Sequence, residues 1–353
     1  MKGLLLAGLI AVSHPFVPAS HVQTCENAQP YTLSQQNEGL NELEQKILND
    51  LSSLEDLFNA PEMDPNDLQN RMNQILNDMN RINQTIFDQT SFNHPGVHHL
   101  PRVKSGHART TSSGIEVAAG DPGVPLSTVN MAADIIKNLS IPVIQDSLDS
   151  VPARNTHIVL FSSPQSYANS LRKSGISSDE VDNIVSETGG LTIGSDVWIP
   201  LYNLQDSSDL ANVLTHELTH VVLNQKGIGE QIPTWINEGI AWHNGLTAQS
   251  QMNPGKVQEE RYALTQQVKQ AAEKGQLLPL SADENDILHA NYNVEWEDAL
   301  AVEHLIQNFG KQTFKSFING IAHSGVEQSF LAHFHMKQSD YEKSFLHTLN
   351  GHV

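Results

Sequence analysis

Residues Ser207–Asn224 read SSDLANVLTHELTHVVLN, and the order of apolar and polar positions in this stretch decides the fold reading of the whole C-terminal part of the chain. Ser207–Asp209 is a helix-start signal. Leu210, Val213, Leu214, Leu218, Val221 and Val222 recur at steps of three and four, the period of an amphipathic helix. His216 and His220 are four apart, so they lie one turn apart on the same helix face. That spacing lets two imidazoles reach one ion at metal–nitrogen distances of about 2.0–2.1 Å. Glu217 is the next residue along and can flank such an ion without ligating it. A carboxylate placed there can take a proton from water and pass it to a leaving amine.

A metal held for catalysis needs a third protein ligand, with one position left open. Downstream, Lys226-Gly227-Ile228-Gly229 ends the first helix, and Pro233 opens a second over Pro233–Asn244 (PTWINEGIAWHN). Glu238 falls in the middle of it, among Trp235, Ile236, Ile240, Ala241 and Trp242. A carboxylate in so apolar a setting is costly unless a cation neutralises it. The tight loop brings this helix back alongside the first, which makes Glu238 the expected third ligand.

The HELTH of His216–His220, followed 18 positions later by the glutamate of WINEGIA, resembles the gluzincin zinc metallopeptidases, and the layout is similar to that of peptidase MA-like domains. The resemblance implies Zn2+ held by His216, His220 and Glu238, with Glu217 as catalytic base in the hydrolysis of peptide bonds. It implies a substrate-aligning edge strand in Gly189–Leu201. It also implies a C-terminal helical lobe containing Trp296–Asn308 and Gln312–Ala322. Three departures stand out. Trp242 occupies the place where related enzymes carry an acidic, histidine-orienting residue. Gly189–Gly194 lacks the glutamate with which aminopeptidases hold a free amine, so an endopeptidase is favoured. Trp296 stands at the usual tyrosine position, leaving Tyr292 or His289 as the expected oxyanion stabiliser.

Around this motif, the domain from 114 to 353 reads as α+β, a two-lobed zincin-like domain with a small strand-rich N-lobe and a helical C-lobe. Strands are expected at Gly114–Ala119, at His157–Ser162 and in Gly189–Leu201, the last as a pair or as one long strand with a turn at Gly194-Ser195-Asp196. Helices are expected around Ser127–Leu148 and Pro164–Ser174, and almost throughout beyond Ser207. Before this domain, residues 93–113 read as a linker punctuated by Pro95, Gly96, Pro101 and Gly106, with His94, His98, His99 and His107 as solvated linker residues. Residues 37–92 read as a helical hairpin. Leu40, Leu43, Ile47, Leu51, Leu54 and Phe58 form one stripe, and Leu68, Met72, Ile75, Met79, Ile82 and Ile86 form another, broken at Pro61–Pro65. Two lone apolar stripes are too little to fold alone, so the hairpin packs on the rest of the chain or on a second copy.

Residues 1–20 read as a signal peptide: Lys2, an apolar run Leu4–Val12, then small residues at Val17-Pro18-Ala19. The expected location is therefore the periplasm or the exterior, with no membrane span once the signal is removed. Cys25 is the single cysteine, so no internal disulfide supports the fold. The net charge of −20 repels nucleic-acid phosphates and anionic lipid, which argues against a nucleic-acid or membrane-surface role, and the resemblance implies a peptide or protein as the partner. The alternative reading is a catalytically inert peptidase-like protein that binds or assembles through its hairpin.

Overall fold

The computed structural model describes residues 108–349 apart from Ser112, 283–285 and 288–289. The signal, the hairpin, most of the linker with its histidines, Cys25 and His289 lie outside the described residues. Within them the protein is mixed α/β, with a small five-stranded sheet and a mostly helical remainder.

The strands are β1 (Ala108–Thr110), β2 (Glu116–Ala119), β3 (His157–Phe161), β4 (Leu191–Ile193) and β5 (Asp196–Pro200), in the order β1-β2-β3-β5-β4. The central pairs β2/β3 and β3/β5 are parallel, and the flanking pairs β1/β2 and β4/β5 are antiparallel. Parallel strands covered on both faces need apolar residues along their buried length, and Ile158–Phe161 of β3 supplies them. Side chains alternate across the sheet. Val117, Ile158, Leu160, Val197 and Ile199 enter one core, whereas Val159, Phe161, Leu191, Ile193 and Trp198 enter a second.

The second core is closed by α3 (Pro164–Lys173) and α4 (Ser178–Glu187), through Tyr167, Leu171, Val181 and Ile184. Helix α4 is an element beyond those expected from the sequence. Its start carries a full capping box, in which the Ser177 side chain accepts from the Glu180 backbone and Glu180 reaches back to the backbone of Ser177. The larger core begins on the other face of the sheet with α1 (Leu126–Ile135), a π-helical turn (Ile136–Ser140) and α2 (Ile141–Leu148). Pro142 has no N–H to give to a regular helical bond, and the π turn sits immediately before it.

Next come α5 (Ser207–Gln225), α6 (Thr234–Met252) and α7 (Pro254–Glu273), followed by α8 (Val294–Phe309), α9 (Lys311–Ser324), α10 (Val326–Phe334) and α11 (Gln338–Leu349). The core runs without a break from Val117 on the sheet through Leu218 of α5 to Phe345 of α11. No helix among the described residues is long and apolar enough to cross a membrane.

Two expectations are corrected. Residues Ala108–Thr110, assigned from sequence to the linker 93–113, form the edge strand β1, because the polar ART triplet gains a pairing partner in Glu116–Ala118 that sequence cannot reveal. The helix expected over Pro233–Asn244 continues to Met252, since Leu246, Ala248 and Gln249 are still buried against the core.

Helix α5 is buried from Ser208 to Leu223, on every side. Helix α6 packs along it, and α8 crosses α6 at Gly239. A Cβ on Gly239 would lie 2.5 Å from the Asp298 carbonyl oxygen and 2.5 Å from Val302 Cγ2, so only glycine permits this approach. Gly239→Val is therefore expected to lower stability by roughly 1–3 kcal/mol through overpacking, read as a lower denaturant midpoint. An unchanged midpoint would show that α6 and α8 do not meet this closely.

Candidate metal centre

The N-terminus of α5 is fixed by Asp206, whose side chain accepts from the backbone N–H groups of Ser208 at 2.7 Å and Asp209 at 3.1 Å. The helix ends at Lys226, and a short turn returns the chain at Pro233 into α6. His220 lies near the end of α5 and Glu238 near the start of α6, so the turn sets them opposite one another.

His216 Nε2 and His220 Nε2 are 3.0 Å apart. The same carboxylate oxygen, Glu238 Oε2, lies 3.4 Å from the first and 3.5 Å from the second. All three residues are buried, and neither Glu238 oxygen has a hydrogen-bond partner. A tetrahedral ion bound at about 2.0–2.1 Å needs ligand atoms about 3.3 Å apart. The observed triangle has that size, so the group can hold a metal ion.

Electrostatics favour a cation in the same place. Burial pushes Glu217 up to about 8 and His216 down to about 4. His220 is raised despite its burial, because the Glu238 carboxylate faces it. Glu238 is lowered in turn, the charge of His220 outweighing the burial that would raise it. Burial followed by the charges of Glu238 and other carboxylates raises Glu295 well above its ordinary range, and burial, then Glu297 and Glu238, does the same for Asp298. The charges bearing on these three raised carboxylates are those of His220 and of the carboxylates Glu217, Glu238, Glu297 and Asp298, with no lysine or arginine among them.

The ligand rings are oriented differently. His220 Nδ1 is 2.9 Å from Asn237 Oδ1, and the Asn237 amide nitrogen donates to the Gly229 carbonyl at 3.4 Å. Asn237 therefore presents its oxygen to the ring. His220 donates through Nδ1–H, which leaves Nε2 with a lone pair for a metal. His216 Nδ1 is buried with no hydrogen-bond partner. Its ring is held instead by the edge of Trp242, with centroids 5.4 Å apart at 84°. Trp242 is fixed by a bond from its indole N–H to Glu295 Oε2 at 2.9 Å and by stacking on Trp296 at 4.2 Å. The tryptophans at positions 242 and 296 thus form a wall behind His216.

Glu217 sits beside the cluster with its Oε2 bonded by the Thr192 hydroxyl, on the edge strand β4. Tyr292 is placed elsewhere: its hydroxyl donates to Glu297 and accepts the Leu278 N–H at 2.9 Å. The structure therefore brings together His216, Glu217, His220 and Glu238, and gives Tyr292 partners outside that group. Sequence reasoning missed Asn237, Thr192 and Glu295. Only Asn237 carried a local signal, as the polar neighbour of Glu238 in an apolar helix.

No known protein-family profile matches the sequence, and no curated protein is similar to it.

Asn237→Ala removes the acceptor that fixes the His220 ring and is expected to weaken metal binding roughly 10- to 100-fold. Competition against a chromophoric chelator measures this directly, and wild-type affinity in the variant would show that Asn237 does not orient the ligand.

Proposed function

We propose that the protein is a zinc-dependent peptidase of the gluzincin kind, with His216, His220 and Glu238 as ligands and Glu217 as general base. The observation that carries the reading is the buried triangle of possible ligands with a second, differently partnered carboxylate beside it. Two imidazole nitrogens and one carboxylate oxygen are the donor set suited to a catalytic zinc with an open position. When bound, zinc would lower the pKa of a water and polarise a carbonyl. The order of the chain, with the sheet first, then the helix bearing both histidines and then further helices, supports a two-lobed zincin-like domain.

In this reading Glu217 removes the proton of the attacking water and returns it to the leaving amine. It can accept a proton only when ionised. Burial, the largest influence on it, pushes it up to about 8, and a divalent charge on the adjoining histidines would favour the ionised form. Strand β4 lies at the sheet edge above this helix, where an extended peptide can pair with it, and that favours internal cleavage of a peptide or protein substrate. Tyr292 has no step here, because its hydroxyl is committed to Glu297 and Leu278. The N-terminal signal pattern supports export.

Protein purified without chelator is expected to carry about one zinc per chain by mass spectrometry, with the metal lost in His216→Ala, His220→Ala and Glu238→Ala. A folded chain with no affinity for zinc would sink the proposal.

Glu217→Gln keeps size and shape but cannot accept a proton. It should retain zinc while peptide cleavage falls by ~10²–10⁴-fold. Wild-type rates in this variant would remove Glu217 from the mechanism. A zinc-loaded wild-type chain that cleaves no member of an unbiased peptide library would favour the inert, binding alternative.

A further inference from the structure

Strand β4 is the three-residue stretch Leu191-Thr192-Ile193, paired with β5 on one side only. Leu191 and Ile193 enter the core closed by α3 and α4, so alternation turns the residue between them toward α5. Thr192 is buried there, and its hydroxyl lies 2.5 Å from Glu217 Oε2 and 3.3 Å from the Glu217 carbonyl oxygen. The other carboxylate oxygen, Oε1, is buried and has no partner. On that side stands Gly190. A Cβ on it would meet Glu217 Oε1 at 2.5 Å, Cγ at 2.7 Å and Cδ at 2.8 Å. The carboxylate is thus held on one oxygen by a hydroxyl and bounded at the other by bare backbone.

We propose that Thr192 is the positioning residue of Glu217, fixing Oε2 so that Oε1 alone is left to exchange a proton, with Gly190 clearing the space that this orientation needs. The proposal rests on the peptidase reading for the step that Glu217 performs, but the orientation itself is a property of these three residues. A valine has nearly the shape of threonine and would fill the same volume, so the hydroxyl is the feature the site uses. A carboxylate free to rotate spends less time in the geometry that proton transfer requires, and small misplacements of a reacting group lower the rate steeply.

The test uses the full chain, loaded with zinc, as wild type, Thr192→Val, Thr192→Ser and Gly190→Ala. Thr192→Val should keep its zinc and a KM within about two-fold of wild type while kcat falls roughly 10- to 100-fold, and its crystal structure should show the Glu217 side chain in a new orientation. Thr192→Ser restores the hydroxyl and should recover most of kcat with Glu217 back in place. Gly190→Ala should displace Glu217 with the Thr192 hydroxyl intact and lower kcat in the same way, which keeps the proposal testable should Thr192→Val fail to fold. An unmoved Glu217 with unchanged kcat in Thr192→Val, or in Gly190→Ala where that variant decides, overturns it. If wild type binds zinc but cleaves nothing, the peptidase reading fails, and the crystal structures alone decide. Displacement of Glu217 in the valine variant and its return in the serine variant would uphold the positioning role; no displacement would end it.

Discussion

Two imidazoles and two carboxylates, His216, His220, Glu217 and Glu238, share a space with almost no exposure to water, and that burial dictates much of the surrounding architecture. A charge removed from water must be paired, protonated or bound to an ion. Here the histidines and Glu238 face one another, and Glu217 is handed to a hydroxyl from the sheet. The helix that presents them is itself polar inside the core. Thr215 and Thr219 bond back to the carbonyls of Ala211 and Thr215, both at 2.7 Å, while Asn212 on the same helix donates to Gln249 of α6 at 2.8 Å. Asn244 reaches across to Thr219 at 3.1 Å. Helices α5 and α6 are therefore joined by hydrogen bonds along their length as well as by apolar contact. A slide of one against the other would strand several buried polar groups at once.

Successive residues of α6 serve different neighbours. Asn237 and Glu238 face the histidines of α5, Gly239 lets α8 in, and Trp242 connects His216 to Glu295 and Trp296. This explains why two polar residues and a glycine stand in a row between the apolar Trp235-Ile236 and Ile240-Ala241 of this helix. It also makes α8, remote in sequence, part of the environment of the His216–His220–Glu238 cluster.

The grouping of His216, Glu217, His220 and Glu238 was legible in the sequence because it depends on local spacing: four residues on one helix, then a short turn to a carboxylate among apolar neighbours. The strands His157–Phe161 and the β4/β5 pair were legible for the same reason. The supporting residues were not. Thr192 looks like any strand threonine until the sheet order places β4 beside α5, and Glu295 looks like an N-terminal helix acid until α8 crosses α6 at Gly239. The displaced role of Tyr292 has the same origin, since the partners that claim its hydroxyl come from Leu278 and Glu297, and nothing in their spacing announces the contact. Periodicity reports which face of an element is buried, and says little about which neighbour buries it.

The distance between the two histidine nitrogens has a consequence of its own. At 3.0 Å, two neutral rings cannot both point lone pairs at each other, so without metal one of the two facing nitrogens carries a proton. Any metal entering the triangle has to expel that proton. A metal ion held there would compete with that hydrogen ion for the same seat. Acid surroundings would empty it and neutral ones would fill it, which ties the state of the centre to the compartment in which the chain resides.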